Sequence, residues 1–108
     1  MSLPRLALDH LNLPSRDPEK LARWYGETFG LKVDAGTAMG PGITLFFTKG
    51  EPLARGQAFH FGFRVANRDD VRMWSERLKR PIAFDEADFF AVRVEDPEGN
   101  LFEIYWEG

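Results

Sequence analysis

The chain has no cysteine. That absence removes disulfides, thiolate nucleophiles and cysteine-bound zinc together, so any metal ion must be held by nitrogen and oxygen donors. Histidine is scarce too, with only His10 and His60 in 108 residues. No apolar run approaches the roughly 20 residues of a membrane-spanning helix. The N-terminus shows no basic segment leading into a hydrophobic stretch. No membrane partner is expected, and the cytoplasm is the expected location. Lysine and arginine are not clustered and the formal charge is −3, so there is no basic face for nucleic-acid phosphates, and a small molecule is the expected partner. What is present is 44% apolar, 14% aromatic and 29% charged residues, the makeup of a globular protein with one core. A single domain over 1–108 is expected, with Met1-Ser2-Leu3 and Glu107-Gly108 read as expression remnants.

A shift of about fifty positions brings the chain onto itself: His10 falls on His60, Asp17 on Asn67, Leu21 on Val71 and Trp24 on Trp74. Each half reads as a strand, an amphipathic helix and then short strands, a β-α-β-β-β unit, which makes the fold class α+β. Module 1 spans about 5–49, a linker rich in Gly and Pro about 50–56, and module 2 about 57–106. In the first module a strand is predicted over Leu6 to Leu13. Asp17 then caps a helix with Pro18 in its first turn, ending near Phe29 at Gly30. Strands follow at Lys32 to Ala35 and Ile43 to Thr48, and the glycines between them leave room only for a short middle strand. In the second module Ala58 to Val65 is the clearest strand. Asn67 caps the second helix, Pro81 stops it, and strands follow near Ile82 to Phe84, Phe89 to Glu95 and Leu101 to Trp106. Asp96-Pro97-Glu98-Gly99-Asn100 reads as the turn of a closing hairpin, and Asp85 to Asp88 as a solvated loop.

Strand parity sorts the chemistry, because side chains alternate faces with a period of two. If Phe59, Phe61, Phe63 and Val65 pack beneath a helix, His60, Gly62 and Arg64 face the other way. The same reasoning puts Leu8, His10 and Asn12 opposite Leu11 and Leu13, and Glu103 and Tyr105 opposite Phe102, Ile104 and Trp106. Two imidazoles and one carboxylate on non-core faces match the facial set that leaves a divalent ion with open positions. Iron(II) or manganese(II) is preferred, with zinc(II), nickel(II) and cobalt(II) also accepted by such ligands. Around His10, His60 and Glu103, the candidate substrate-binding residues are Asn12, Arg64 and Phe47, with Leu8, Leu45 and Leu101 as cavity-facing apolar groups. Tyr105 and Arg93 are the candidates for proton and charge handling. The plainer readings are a cavity wall for Tyr105 and solvated surface pairs for the arginines.

These residues carry a resemblance. Leu8-Asp9-His10-Leu11-Asn12-Leu13, Trp24-Tyr25, Phe29-Gly30-Leu31, Phe59-His60-Phe61-Gly62-Phe63, and Asp96-Pro97-Glu98-Gly99-Asn100 with Glu103 together resemble the glyoxalase, bleomycin-resistance and extradiol-dioxygenase superfamily, whose fold is the vicinal oxygen chelate. The resemblance covers nearly the whole chain. It implies two tandem βαβββ modules forming a cupped mixed sheet with helices outside, and His10, His60 and Glu103 as metal ligands. It also implies a homodimer, in which a site is sometimes built from both protomers. The activity implied is a metal-dependent lyase, isomerase or ring-cleavage dioxygenase acting on a molecule that chelates through adjacent oxygens. The alternative is a metal-free binding protein that sequesters a small molecule. The chain departs from the glyoxalase I pattern, which places a fourth ligand where Ile43-Thr44-Leu45-Phe46-Phe47 has no carboxylate. It departs from the extradiol dioxygenases in lacking a third histidine. Fosfomycin-resistance transferases share two histidines and a glutamate but rank lowest among the enzymes, since they also carry potassium-binding and oxyanion-binding residues, partly in a C-terminal extension not expected in this chain.

Overall fold

The structure, a computed structural model, describes residues 2–53 and 59–108. The chain divides into two compact units, Met1–Leu53 and Ala54–Gly108. The division falls inside the stretch read as a linker, of which residues 54–56 lie outside the described residues.

The first unit runs β1 (His10–Ser15), α1 (Pro18–Phe29), β2 (Lys32–Asp34), β3 (Thr37–Gly40) and β4 (Ile43–Lys49). Its sheet has the order β1-β4-β3-β2. β1 and β4 are parallel, and the remaining pairs are antiparallel. Local chemistry sets the helix ends as expected. Asp17 accepts from Lys20 N at 3.2 Å, Pro18 occupies the first turn, and Gly30 closes the helix in the left-handed region at φ 70. β1 begins at His10 rather than Leu6. A strand lasts only as long as its partner, and β4 starts at Ile43, directly after the turn at Gly42. The upstream Leu6 and Leu8 are 92% and 87% exposed. The core of this unit is Leu13, Leu21, Ala22, Tyr25, Ala38, Leu45 and Phe47.

The second unit repeats the plan: β5 (Phe61–Arg64), α2 (Arg68–Leu78), β6 (Ile82–Asp85), β7 (Phe89–Glu95) and β8 (Leu101–Glu107), with sheet order β5-β8-β7-β6. The strand read from Ala58 is shorter than expected, and Ala58 itself lies outside the described residues. Glu107, set aside as a remnant, is part of β8 and pairs with Phe89. Val71, Phe90, Val92, Val94, Phe102 and Ile104 are buried between α2 and the sheet. The β7–β8 turn is tied by buried Asp96, whose carboxylate accepts from Glu98 N at 2.8 Å, Asn100 N at 3.0 Å and Asn100 Nδ2 at 2.8 Å. The exposed acidic loop after β6 is pinned from α2. Arg68 donates to the carbonyls of Glu86 and Ala87, while its guanidinium lies 5.0 Å from the Phe90 ring and 4.8 Å from that of Trp106.

The two helices end differently. α2 closes on Lys79, a left-handed residue at φ 55 with a side chain to accommodate. That conformation costs a non-glycine residue about 1–2 kcal/mol, and glycine would return part of the gain as chain entropy. Lys79→Gly is therefore expected to stabilise the protein by about 0.5–1 kcal/mol, read as a rise of a few degrees in melting temperature. An unchanged or lower melting temperature would count against a left-handed Lys79.

Candidate active site

In the second unit, β5 and β8 run parallel with Gly62 opposite Glu103 and Arg64 opposite Tyr105. Alternation then puts His60, Gly62 and Arg64 on the same face as Glu103 and Tyr105, away from the Phe61, Phe63 and Phe102 rings that pack together. His60 and Glu103, read from sequence as ligands, meet there: His60 Nε2 lies 3.2 Å from Glu103 Oε1. Glu103 is mostly shielded, its side chain 13% exposed against 42% for His60. Arg93, opposite Glu103 in the β7–β8 register, places Nε 3.7 Å from the other carboxylate oxygen, Oε2.

A cavity of about 320 Å³ opens on this face, lined by His60, Gly62, Phe89, Glu103, Tyr105 and Glu107 among others. Its volume suits a small molecule. Tyr105 forms one wall. A side chain at position 62 would stand 3.0 Å from Tyr105 Cε1, so glycine is what lets the ring lie over β5. Phe89 tilts against Tyr105 at 5.8 Å, and Arg64 lies 5.9 Å from the same ring while donating to the Glu107 carbonyl at 2.8 Å. Arg64 is thus tied to β8 and a ring wall.

In the first unit, His10 is exposed at the start of β1. Its Nδ1 is 3.0 Å from Asp9 Oδ1, and its ring meets Phe46 edge-on at 6.1 Å. A neutral imidazole that donates Nδ1–H to a carboxylate keeps the Nε2 lone pair for a metal, the usual arrangement of a ligating histidine. Asn12 accepts from Thr48 Oγ1 at 2.8 Å, which leaves its amide N–H groups as donors. Phe47 requires a correction. It is 6% exposed and stacks on Tyr25 of α1 at 5.3 Å, so it belongs to the core and not to a substrate surface. Leu45, fully buried, is corrected with it. Register explains both: Leu11 pairs with Leu45 and Leu13 with Phe47, whereas Asn12 pairs with Phe46. Phe46, at 40% exposure, is the ring on the His10 face. The sequence reading passed over Asp9, next to His10, and left open which of the adjacent Phe89 and Phe90 faces the cavity, a phase that pairing decides in favour of Phe89.

Within the second unit the imidazole–carboxylate pair is a two-donor set, and no third histidine, aspartate or glutamate joins it among the described residues. One neutral nitrogen and one anionic oxygen, partly shielded at a cavity, fit a divalent ion by donor chemistry.

The profile of the Glyoxalase/Bleomycin resistance protein/Dioxygenase superfamily matches residues 7–104. No curated protein matches the chain. Among solved structures, the fosfomycin resistance protein FosX from Listeria monocytogenes aligns at a TM-score of 0.76 and 18% identity, covering 94% of this chain and 93% of that one. FosX from Mesorhizobium loti aligns at 0.75 and 22% identity, covering 94% and 92%. Lactoylglutathione lyase from Agrobacterium tumefaciens aligns at 0.68 and 22% identity, covering 94% of each chain. At these identities the likeness is one of fold.

Proposed function

Because the chain belongs to the Glyoxalase/Bleomycin resistance protein/Dioxygenase superfamily, we propose that it is a metal-dependent enzyme acting on a small molecule that chelates the ion through adjacent oxygens. The observation that carries this reading is the approach of His60 Nε2 to Glu103 Oε1 at 3.2 Å beside a cavity. His10 is the proposed third ligand. Its support is its place in the fifty-residue repeat, where it corresponds to His60, and the Asp9 contact that frees its Nε2. A divalent ion held by these groups would polarise the substrate oxygens bound to it. The chain's own residues do the rest. Arg93 holds one oxygen of Glu103, so that Oε1 faces the imidazole. Tyr105, fixed between Gly62 and Phe89, is the proposed hydrogen-bond or proton donor to bound substrate. Asn12 and Phe46 are proposed to contact substrate from the His10 face.

The test is metal content by elemental analysis of protein purified without a histidine tag or chelator, beside His10→Ala/Glu103→Ala. About one divalent ion per chain in the wild type, lost in the double variant, is expected. Iron would favour a ring-cleavage dioxygenase, and manganese, zinc or nickel a lyase or isomerase. A wild type that takes up no ion, even when offered iron(II), manganese(II), zinc(II) or nickel(II) in excess, would overturn the enzymatic reading and leave a metal-free binding protein.

A further inference from the structure

The carboxylate of Glu103 is shared between two groups: His60 Nε2 lies 3.2 Å from Oε1, and Arg93 Nε lies 3.7 Å from Oε2. The Arg93 side chain is nevertheless 40% exposed. A guanidinium is a planar fork of five N–H donors. A single approach through Nε leaves the two terminal nitrogens to receive another oxyanion, and among the described residues Glu103 is the one carboxylate that pairs with Arg93.

Apolar surface lies directly alongside. The Arg93 guanidinium lies 5.7 Å from the Phe84 ring, Phe84 meets Phe89 edge-on at 5.7 Å, and Phe89 tilts against Tyr105 at 5.8 Å. Three rings thus run from the guanidinium to the cavity wall, a surface on which a flat apolar group can rest.

Charge decides what completes the arrangement. With neutral imidazole, Glu103 and Arg93 cancel, and Arg64 at the Tyr105 wall offsets Glu107 in the cavity lining, so a divalent ion at the pair would leave two uncompensated positive charges in a partly shielded place. Such charges are costly unless paired. A ligand that brings a carboxylate next to its chelating oxygen supplies that compensation, and a neutral ligand of the same shape does not.

We propose that Arg93 is a specificity-determining residue that receives a substrate carboxylate, and that the substrate is a small carboxylate-bearing chelator with a flat apolar substituent lying on the Phe84, Phe89 and Tyr105 rings. This inference rests on the metal-dependent reading and narrows its substrate class.

The test uses manganese(II)-loaded protein and three probes followed by titration calorimetry. Mandelate has a carboxylate, an adjacent hydroxyl and a phenyl ring, mandelamide is its neutral isostere, and lactate lacks the ring. Manganese(II) uptake is checked first by electron paramagnetic resonance. Any anion favours the ion itself, so the decisive quantity is the change on substitution. Arg93→Met should weaken mandelate by roughly 10- to 100-fold, the effect of one charge-assisted hydrogen-bonded contact. Because Arg93 also holds Glu103, Arg93→Met is compared at manganese(II) concentrations that load it fully by electron paramagnetic resonance; there it should leave mandelamide within about 2-fold, while Arg93→Lys recovers part of the mandelate loss because it restores charge without the fork. Lactate should bind the wild type more weakly than mandelate. Equal losses for mandelate and mandelamide, or mandelate binding untouched by Arg93→Met, would overturn this inference with the metal reading intact. A wild type that takes up no manganese(II) or other divalent ion would overturn both.

Discussion

Glu103→Gln is expected to weaken divalent metal binding by more than about 100-fold while the protein stays folded. The lower bound follows from comparison, since changing a group that merely orients a ligand costs about 10–100-fold in metal affinity, and removing the ligand's charge must cost more. Glutamine keeps the size of glutamate and one carbonyl acceptor. It loses the negative charge and adds an N–H₂ that points a donor at either His60 Nε2 or Arg93 Nε, the two groups now facing its oxygens at 3.2 and 3.7 Å. The fold should tolerate this, because ion pairs of partly exposed arginine contribute about 0–1 kcal/mol. Glu103→Asp sharpens the point. It retains the carboxylate but shortens the reach by one methylene, so its affinity should fall between wild type and Glu103→Gln. Manganese(II) titration with melting curves on the same samples reads both effects. A glutamine variant that binds manganese(II) as tightly as wild type would remove Glu103 from the ligand set.

Features decided within a few residues of one another were legible in the sequence. Asp17 with Pro18 and Asn67 with Asp70 marked the helix starts, because capping is a contact between neighbours in the chain. Gly99, at φ 87, marked the turn before β8 for the same reason. The face shared by His60, Glu103 and Tyr105 was legible because β5 and β8 alternate cleanly, and period two needs no knowledge of the partner strand. β4 was harder. Phe46 and Phe47 are chemically alike, and its phase is fixed by pairing with β1. A weaker signal was nonetheless present. Thr44 and Thr48 share the parity of Phe46, while Ile43 and Leu45 share that of Phe47, so the threonines marked the solvent side. The start of β1 was not legible, since it depends on where β4 begins more than thirty residues later. Nor was the place of Arg68, whose long side chain reaches the acidic loop and two rings on other strands.

The phase of β4 can be measured directly, and the effect is large. Phe47→Ala should destabilise the protein by about 3–5 kcal/mol, against about 1 kcal/mol or less for Phe46→Ala. The two rings are adjacent on one strand and carry the same apolar surface, so composition, strand propensity and residual structure in the unfolded chain largely cancel between the variants. What differs is the environment. Phe47 is 6% exposed and stacked on Tyr25, itself fully buried, so its removal leaves a cavity beneath α1 that close-packed neighbours fill only in part. Phe46 is 40% exposed and meets His10 edge-on, so its removal returns an already wetted position to water. Against a total stability of about 5–15 kcal/mol for a domain, the Phe47 variant should show a much lower urea midpoint than wild type, and the Phe46 variant a nearly unchanged one. The same pair of proteins separates core from cavity in function. Phe46→Ala, folded and stable, should retain bound metal, because the ring touches His10 without supplying a donor. If Phe46→Ala is instead the destabilised variant, the phase of β4 is reversed, and Phe46, together with His10 and Asn12, lies on the helix side of the sheet.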